Sequence, residues 1–144
     1  MVPETKKIKY TLKEIPIIAA YIKSLLSKCS IIAFSGSLGA GKTTLIKEVL
    51  RQCGIENLVT SPTFTYFNQY KDKKGNSFYH FDLYRIDSVK GFIDQGFDEM
   101  LYEPGYCFIE WPEKIMPLLK NGVCFISLNY GPEDQSRIAA IEVK

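Results

Sequence analysis

A glycine-rich segment, residues 36–43, has residue types and a spacing that could bind phosphate, because it fills the pattern G-x-x-x-x-G-K-[ST]. Glycines let the backbone turn tightly and aim its N–H groups inward, which creates an anion-binding concavity. In this pattern the ammonium of Lys42 can reach the outer phosphates of a nucleoside triphosphate, and the hydroxyl of Thr43 can bind Mg²⁺. The segment is therefore predicted to be a phosphate-binding loop for a magnesium nucleotide.

The flanking residues have the patterns of a strand and a helix. Residues 29–35 form a short, apolar, β-branched run that is typical of a buried strand. After the loop, apolar residues recur at helical spacing from Leu45 onward, and Gly54 is placed to end the helix. Strand, loop and helix in this order are the context that the motif requires, which argues against a chance match.

Such a loop also needs an acidic residue that holds Mg²⁺, directly or through water. Glu110 directly follows the apolar run 107–109, so we expect it at the end of a strand beside the loop. A buried acid is costly there unless a metal or another partner compensates it. The alternative is an ordinary strand-end carboxylate that faces solvent.

Asp82 is the second acidic candidate, and it lies in the aromatic run 80–85. Strand alternation places four side chains on one face of this run: Phe78, His80, Asp82 and Tyr84. Asp82 could orient an attacking water or bond to the metal ligands, or it could form a structural ion pair with Arg85 or a lysine. For His80 we expect packing or hydrogen bonding rather than catalysis.

A rigid polar turn, residues 61–65, follows the helix and contains Thr63. In many proteins with this type of loop, a threonine here senses the terminal phosphate and Mg²⁺ and orders a switch segment. A plain turn held by local hydroxyl bonds is the equal alternative. The sequence has no N-K-x-D string that would select guanine, so ATP is favoured over GTP.

The elements that position these residues predict an α/β fold. Thr11 begins a capping-box pattern that ends at Glu14, and an apolar helical stripe follows, so Pro16 requires the helix to start later than the box suggests or to bend. The later elements are predicted as a short strand at 58–59, a hairpin of 63–70 with 77–84, a short helix within 88–101, a strand at 106–109, a short helix at 113–119, and strands at 123–130 and 137–143. This order predicts a three-layer P-loop domain whose mixed sheet has a parallel centre and antiparallel additions. The loop should lie at the carboxyl end of the first strand.

Length and composition bound the possibilities. The chain has 144 residues, 46% of them hydrophobic and 24% charged, which predicts one domain over residues 1–144. The net charge of +2 is too small to indicate nucleic-acid binding by itself. No apolar stretch approaches the ~20 residues that span a membrane. Four separated cysteines without a C-x-x-C pair, and a single histidine, favour reduced thiols in a cytoplasmic protein over disulfides or zinc.

Four strings occur in a fixed order, at residues 36–44, 61–65, 80–85 and 109–112. Together they closely resemble the bacterial TsaE (YjeE) family, small P-loop ATPases required for the formation of threonylcarbamoyladenosine in tRNA. The P-loop alone is unspecific, whereas the four strings in combination are highly specific. The tail past residue 130 is shorter than in many members.

The resemblance implies ATP and Mg²⁺ as cofactors, slow hydrolysis by the chain alone, and action with the threonylcarbamoyl-transferase subunit TsaD and its partner TsaB. It implies Lys42 on the phosphates, Thr43 and Glu110 on Mg²⁺, and Asp82 as a catalytic acid, with Thr63 in a switch-like loop. The nucleotide-binding residues that it implies are Thr11, Gly36, Ser37, Leu38, Gly39, Ala40, Gly41, Lys42, Thr43 and Thr44. Direct contact with tRNA stays open.

Two other functions fit the residues. A small-molecule kinase is one, although such enzymes usually need a lid with arginines, and the three arginines of this chain lie in no long insertion. The other is an assembly module that is gated by nucleotide, in which hydrolysis is incidental.

Overall fold

A mixed β-sheet organises the chain, for which a computed structural model describes residues 5–58 and 66–144. Within those residues the strands are β1 (Thr5–Thr11), β2 (Ile31–Ser35), β3 (Phe67–Lys71), β4 (Ser77–Asp82), β5 (Tyr106–Glu110), β6 (Val123–Tyr130) and β7 (Ser136–Val143). Their order in the sheet is β1-β7-β6-β2-β5-β4-β3. The loop follows β2, the second strand rather than the first.

The pairing of the strands confirms the predicted parallel centre. Strand β2 lies between β5 and β6 and is parallel to both, and β4 is parallel to β5. The antiparallel additions are β7 and β1 at one edge and β3 at the other. Because β4 and β5 are parallel and in register at Asp82 and Glu110, the carboxyl ends of these strands bring the two acids side by side.

Helices cover both faces of the sheet and complete three layers. They are α1 (Ile15–Ser24), α2 (Lys42–Gln52), α3 (Val89–Asp94) and α4 (Phe97–Tyr102), with 3-10 segments at Leu12–Glu14, Leu25–Ser27 and Pro112–Leu118. Alternate residues of each central strand enter opposite cores: Phe34 and Phe108 pack with α1 and α2, whereas Phe81 and Ile109 pack with α3 and α4. None of the helices within the described residues is long and apolar enough to cross a membrane.

The sequence patterns did not predict β1. It carries three lysines, two of them adjacent, and Tyr10 is its only buried residue. The strand forms because its backbone pairs with β7, more than 120 residues away in the chain, and such a non-local contact leaves little trace in a local pattern. Thr11 consequently ends a strand.

The helix after Thr11 starts later than the capping-box pattern suggests. It begins at Ile15, so Pro16 lies in its first turn, where the missing N–H costs no hydrogen bond. The Glu14 carboxylate accepts bonds from the backbone N–H of Thr11 at 3.0 Å and from its hydroxyl at 3.1 Å. The start of α1 therefore resolves the conflict that Pro16 posed.

Several other boundaries differ from the predictions. Leu58 lies outside any strand, while Val59 and the turn 61–65 with Thr63 lie outside the described residues. The segment 88–101 contains two short helices, because Gly96 takes a left-handed conformation (φ +80°) between them. Residues 113–119 form no α-helix; the 3-10 segment there is kinked at its middle.

Phe81 is expected to be among the most sensitive core positions. Its ring is fully buried, with ring centroids of Phe67, Phe92 and Phe97 at 5.6, 5.7 and 5.8 Å. Phe81→Ala should lower the free energy of unfolding by about 3–5 kcal/mol, because it removes buried surface and leaves a cavity. Ile17→Ala, at an apolar residue that is 70% exposed, is the control. Equal midpoints of urea unfolding for the two variants would contradict this expectation.

Candidate functional site

Positive φ angles shape the glycine-rich loop between β2 and α2. Gly36, Gly39 and Gly41 have φ angles of +147°, +80° and +97°, a region that other residues rarely adopt. A Cβ at position 36 would also lie 2.6 Å from the carbonyl oxygen of Leu128 on β6. Since α2 begins at Lys42, its free N–H groups and the positive end of its dipole are directed at the loop.

A cleft of about 290 Å³ opens beside this loop. It is lined by Leu38, Gly39, Ala40, Gly41, Lys42, Thr43, Thr44, Asp82, Tyr84, Glu110 and Trp111. Most of the predicted phosphate-binding residues therefore share one cleft with both predicted acids. Tyr84 and Trp111 are additions that the sequence did not identify as site residues.

The Lys42 side chain is folded back against its own loop. Only 5% of the residue is exposed, and its ammonium donates hydrogen bonds to the carbonyl oxygens of Gly36 at 2.5 Å and Ser37 at 3.1 Å. The same ammonium lies 3.9 Å from the centre of the Trp111 ring, a cation–π contact. Burial lowers the pKa of Lys42, although the negative charge of Glu110 opposes this shift. The loop thus holds a desolvated ammonium within reach of an anion in the cleft.

Glu110 is buried rather than facing solvent. It is 3% exposed, and the Thr43 hydroxyl lies 2.8 Å from one of its carboxylate oxygens and 2.9 Å from the other. His80, 1% exposed, lies with its Nε2 2.7 Å from Glu110 Oε2. His80 is therefore a hydrogen-bonded residue, as expected from the sequence.

The oxygen atoms of Thr43 and Glu110 suit Mg²⁺. The ion prefers hydroxyl and carboxylate oxygens, and in nucleotide sites it takes its remaining ligands from phosphates and water. The described part of the chain contains no cluster of three or more His, Cys, Asp or Glu side chains that could hold a metal. Thr43 and Glu110 fit the group that the sequence predicted for them.

Asp82 ends β4 beside Glu110. Its Oδ1 accepts a hydrogen bond from the backbone N–H of Tyr84 at 3.1 Å. The backbone N–H of Asp82 donates to the carbonyl oxygen of Tyr66. Burial raises the pKa of Asp82, and the nearby charge of Glu110 adds to this, while the Tyr84 bond opposes it. No ion pair links Asp82 to Arg85 in the described ranges.

Trp111 forms one wall of the cleft. It has a left-handed backbone conformation (φ +61°, ψ +54°), which costs roughly 1 kcal/mol or more for a bulky residue. Its ring lies against Tyr84, with ring centres 5.0 Å apart. The sequence indicated only packing or a partner contact; its position directly after the strand-end acid was the available signal.

Of the predicted site residues that the structure describes, three do not line the cleft. Thr11 pairs with Ser136 at the end of β1 and does not line the cleft. Gly36 and Ser37 belong to the glycine-rich loop without lining the cleft, and their carbonyl oxygens accept hydrogen bonds from the Lys42 ammonium. Thr63 lies outside the described residues.

A sheet with helices on both faces, and a glycine-rich loop between a central strand and the helix after it, define the P-loop class of α/β proteins. Residues 10–138 match the family model "Threonylcarbamoyl adenosine biosynthesis protein TsaE". The chain belongs to the TsaE family, which confirms the resemblance found in its sequence.

Curated relatives carry the name "tRNA threonylcarbamoyladenosine biosynthesis protein TsaE". The relative from Treponema pallidum is 38% identical over 104 residues, which cover 72% of this chain and 76% of the relative. The relative from Haemophilus influenzae is 33% identical over 76% of this chain and 68% of its own length. The crystal structure of Bacillus subtilis YdiB matches with a TM-score of 0.77 and 26% identity, covering 99% of this chain and 88% of that one.

Proposed function

We propose that the chain binds ATP with Mg²⁺ in this cleft and hydrolyses it as a subunit of the machinery that forms threonylcarbamoyladenosine in tRNA. The observation that carries the proposal is the Thr43 hydroxyl 2.8 Å from the buried Glu110 carboxylate, in the same cleft as the Lys42 ammonium. This combination of cation, hydroxyl and acid is what phosphoryl transfer to water requires. The names of the relatives support the pathway.

Each residue has a distinct role in the proposal. Lys42 exchanges its bonds to the loop carbonyls for bonds to the outer phosphates, and the N–H groups at the start of α2 bind the same anion. Thr43 and Glu110 hold Mg²⁺, which neutralises phosphate charge when it is bound. Asp82 accepts a hydrogen bond from the attacking water and orients it, since it is the remaining acid in the cleft.

Partners of this chain are proposed to be a TsaD-like threonylcarbamoyl-transferase and a TsaB-like subunit, in the cytoplasm. Two residues that line the cleft are apolar or aromatic and well exposed: Leu38 at 64% and Tyr84 at 49%. Exposed apolar groups around a binding cleft are typical of surfaces that a partner covers.

The proposal is tested by measuring ATP hydrolysis and tRNA modification with the chain's own TsaD-like and TsaB-like proteins. We expect the partners to raise the rate of ATP hydrolysis, and we expect the Lys42→Ala substitution to abolish hydrolysis by the assembly. A pull-down with and without ATP tests the partnership separately. Equal hydrolysis by the Lys42→Ala and wild-type assemblies would contradict the proposal.

An assembly module gated by nucleotide is the second candidate, favoured by the exposed Leu38 and Tyr84 at the cleft. It predicts that a variant of Asp82 that binds ATP without hydrolysing it still supports tRNA modification. A small-molecule kinase has less support, since the residues that line the cleft include no arginine in the described part of the chain. Transfer of labelled γ-phosphate to a nucleoside or sugar rather than to water would favour it.

A further inference from the structure

The buried carboxylate of Glu110 forms hydrogen bonds with two side chains that have different roles. Thr43 bonds to it from α2, and His80 bonds to it from the neighbouring strand β4. Under the proposed function Thr43 is itself a metal ligand, so its hydroxyl contacts both the Mg²⁺ ion and Glu110. His80 is 1% exposed and is not among the residues that line the cleft. It is connected to the site through the hydrogen bond between its Nε2 and Glu110.

We propose that His80 is a positioning residue for Mg²⁺ binding: its Nε2–H group holds one oxygen of Glu110 so that the carboxylate faces Thr43 and the cleft. This inference rests on the proposed role of Glu110 as a metal ligand. A carboxylate that binds Mg²⁺ is ionised and only accepts hydrogen bonds, so the proposed role requires the proton of the shared bond to be on Nε2.

A positioning residue is needed here because a buried carboxylate that lacks fixed hydrogen-bond donors is unfavourable in free energy. A buried charge needs hydrogen bonds, and charge-assisted bonds to a fixed donor are stronger and more directional than neutral ones. The imidazole is held rigidly within β4, whose residues pair with β5 on one side and β3 on the other. Groups that orient a ligand from behind typically change metal affinity by about 10- to 100-fold when they are removed.

Two variants separate this role from simple packing. His80→Phe keeps the ring shape and removes the donor, whereas His80→Gln keeps a donor at similar reach. Tyr79→Phe is the control, because it removes the hydroxyl of the preceding residue in β4, which bonds to Glu103 away from the cleft. Mg²⁺ is titrated into each protein saturated with ADP, and ADP affinity is also measured in EDTA.

We expect His80→Phe to weaken Mg²⁺ binding by about 10- to 100-fold while the ADP affinity in EDTA changes little. His80→Gln should restore most of the Mg²⁺ affinity, and Tyr79→Phe should resemble wild type. Unchanged Mg²⁺ affinity in His80→Phe, or an equal loss of ADP affinity without metal, would overturn the inference. If the wild-type protein shows no effect of Mg²⁺ on ADP binding, the proposed metal site itself is wrong.

A measurement on the unaltered chain covers the case in which a variant does not fold. His80 is the only histidine of the 144 residues, so the imidazole ¹⁵N signals of untagged protein belong to it without further assignment. We expect a proton on Nε2, protected from exchange, whose resonance shifts when Mg²⁺ is added to the ADP complex. A proton on Nδ1 alone, or no shift with Mg²⁺ at concentrations that raise ADP affinity, would overturn the inference.

Discussion

Replacing Lys42 by alanine is expected to abolish ATP hydrolysis and to weaken ATP binding by about 2–5 kcal/mol, roughly 30- to 4,000-fold in Kd. The ammonium is the only cation among the residues that line the cleft in the described part of the chain. It is already desolvated under Trp111, which means that much of the cost of burying it is met before a phosphate arrives. Equilibrium binding of a labelled, non-hydrolysable ATP analogue measures the effect.

The control for charge is Lys90→Ala. Lys90 carries the same charge on α3, its side chain is 83% exposed, and its surface ion pair with Asp94 should contribute little to stability. We expect this variant to bind and hydrolyse ATP like wild type. Comparable affinity losses in the two variants would show that net charge, rather than the position of Lys42, controls binding.

Replacing Asp82 by asparagine is expected to reduce ATP hydrolysis by about 10²-fold or more while ATP binding persists, as is typical for loss of a positioned acid or base. The amide oxygen of the introduced asparagine can still accept the bond from the Tyr84 N–H, so the loop after β4 should keep its shape. Asp87→Asn, at an exposed residue just beyond β4, is the control. Hydrolysis by the Asp82→Asn variant at the wild-type rate would exclude Asp82 from catalysis.

The same substitution should raise thermal stability above mildly acidic pH. Burial raises the pKa of Asp82 in the folded protein, so the unfolded chain loses this proton first as the pH rises. The carboxyl of Asp82 therefore lowers stability progressively from near its unfolded pKa, about 3.9, up through its higher folded pKa. Wild type and variant should melt alike below that window, and the variant should melt at a higher temperature above it. A gain in activity at the cost of stability is common at functional sites.

The parts of the site that were predictable from the sequence depend on local patterns. The glycine-rich pattern identifies the loop and the start of α2, and the apolar run before Glu110 identifies the acid that ends β5. In each case the pattern lies within a dozen residues of the feature that it identifies. Local patterns of this kind, such as glycine spacing and a strand-end acid, can be recognised without knowing how distant segments of the chain pack.

The parts that were not predictable depend on contacts between distant segments. Strand β1 exists because β7 pairs with it, and the bond between His80 and Glu110 joins residues 30 positions apart. The Trp111 ring covers Lys42 because β2 and β5 are neighbours in the sheet. Residue types alone could not show that β7 would pair with β1 or that β4 would lie beside β5.

Binding of a magnesium nucleotide at the loop is the claim on which the proposed roles depend. Equilibrium dialysis of the wild-type protein against a labelled, non-hydrolysable ATP analogue, with Mg²⁺ or with EDTA, tests it directly. We expect one saturable site per chain that binds more tightly with Mg²⁺, and we expect Lys42→Ala to lose it. A folded wild-type protein that retains no analogue under either condition would contradict the claim.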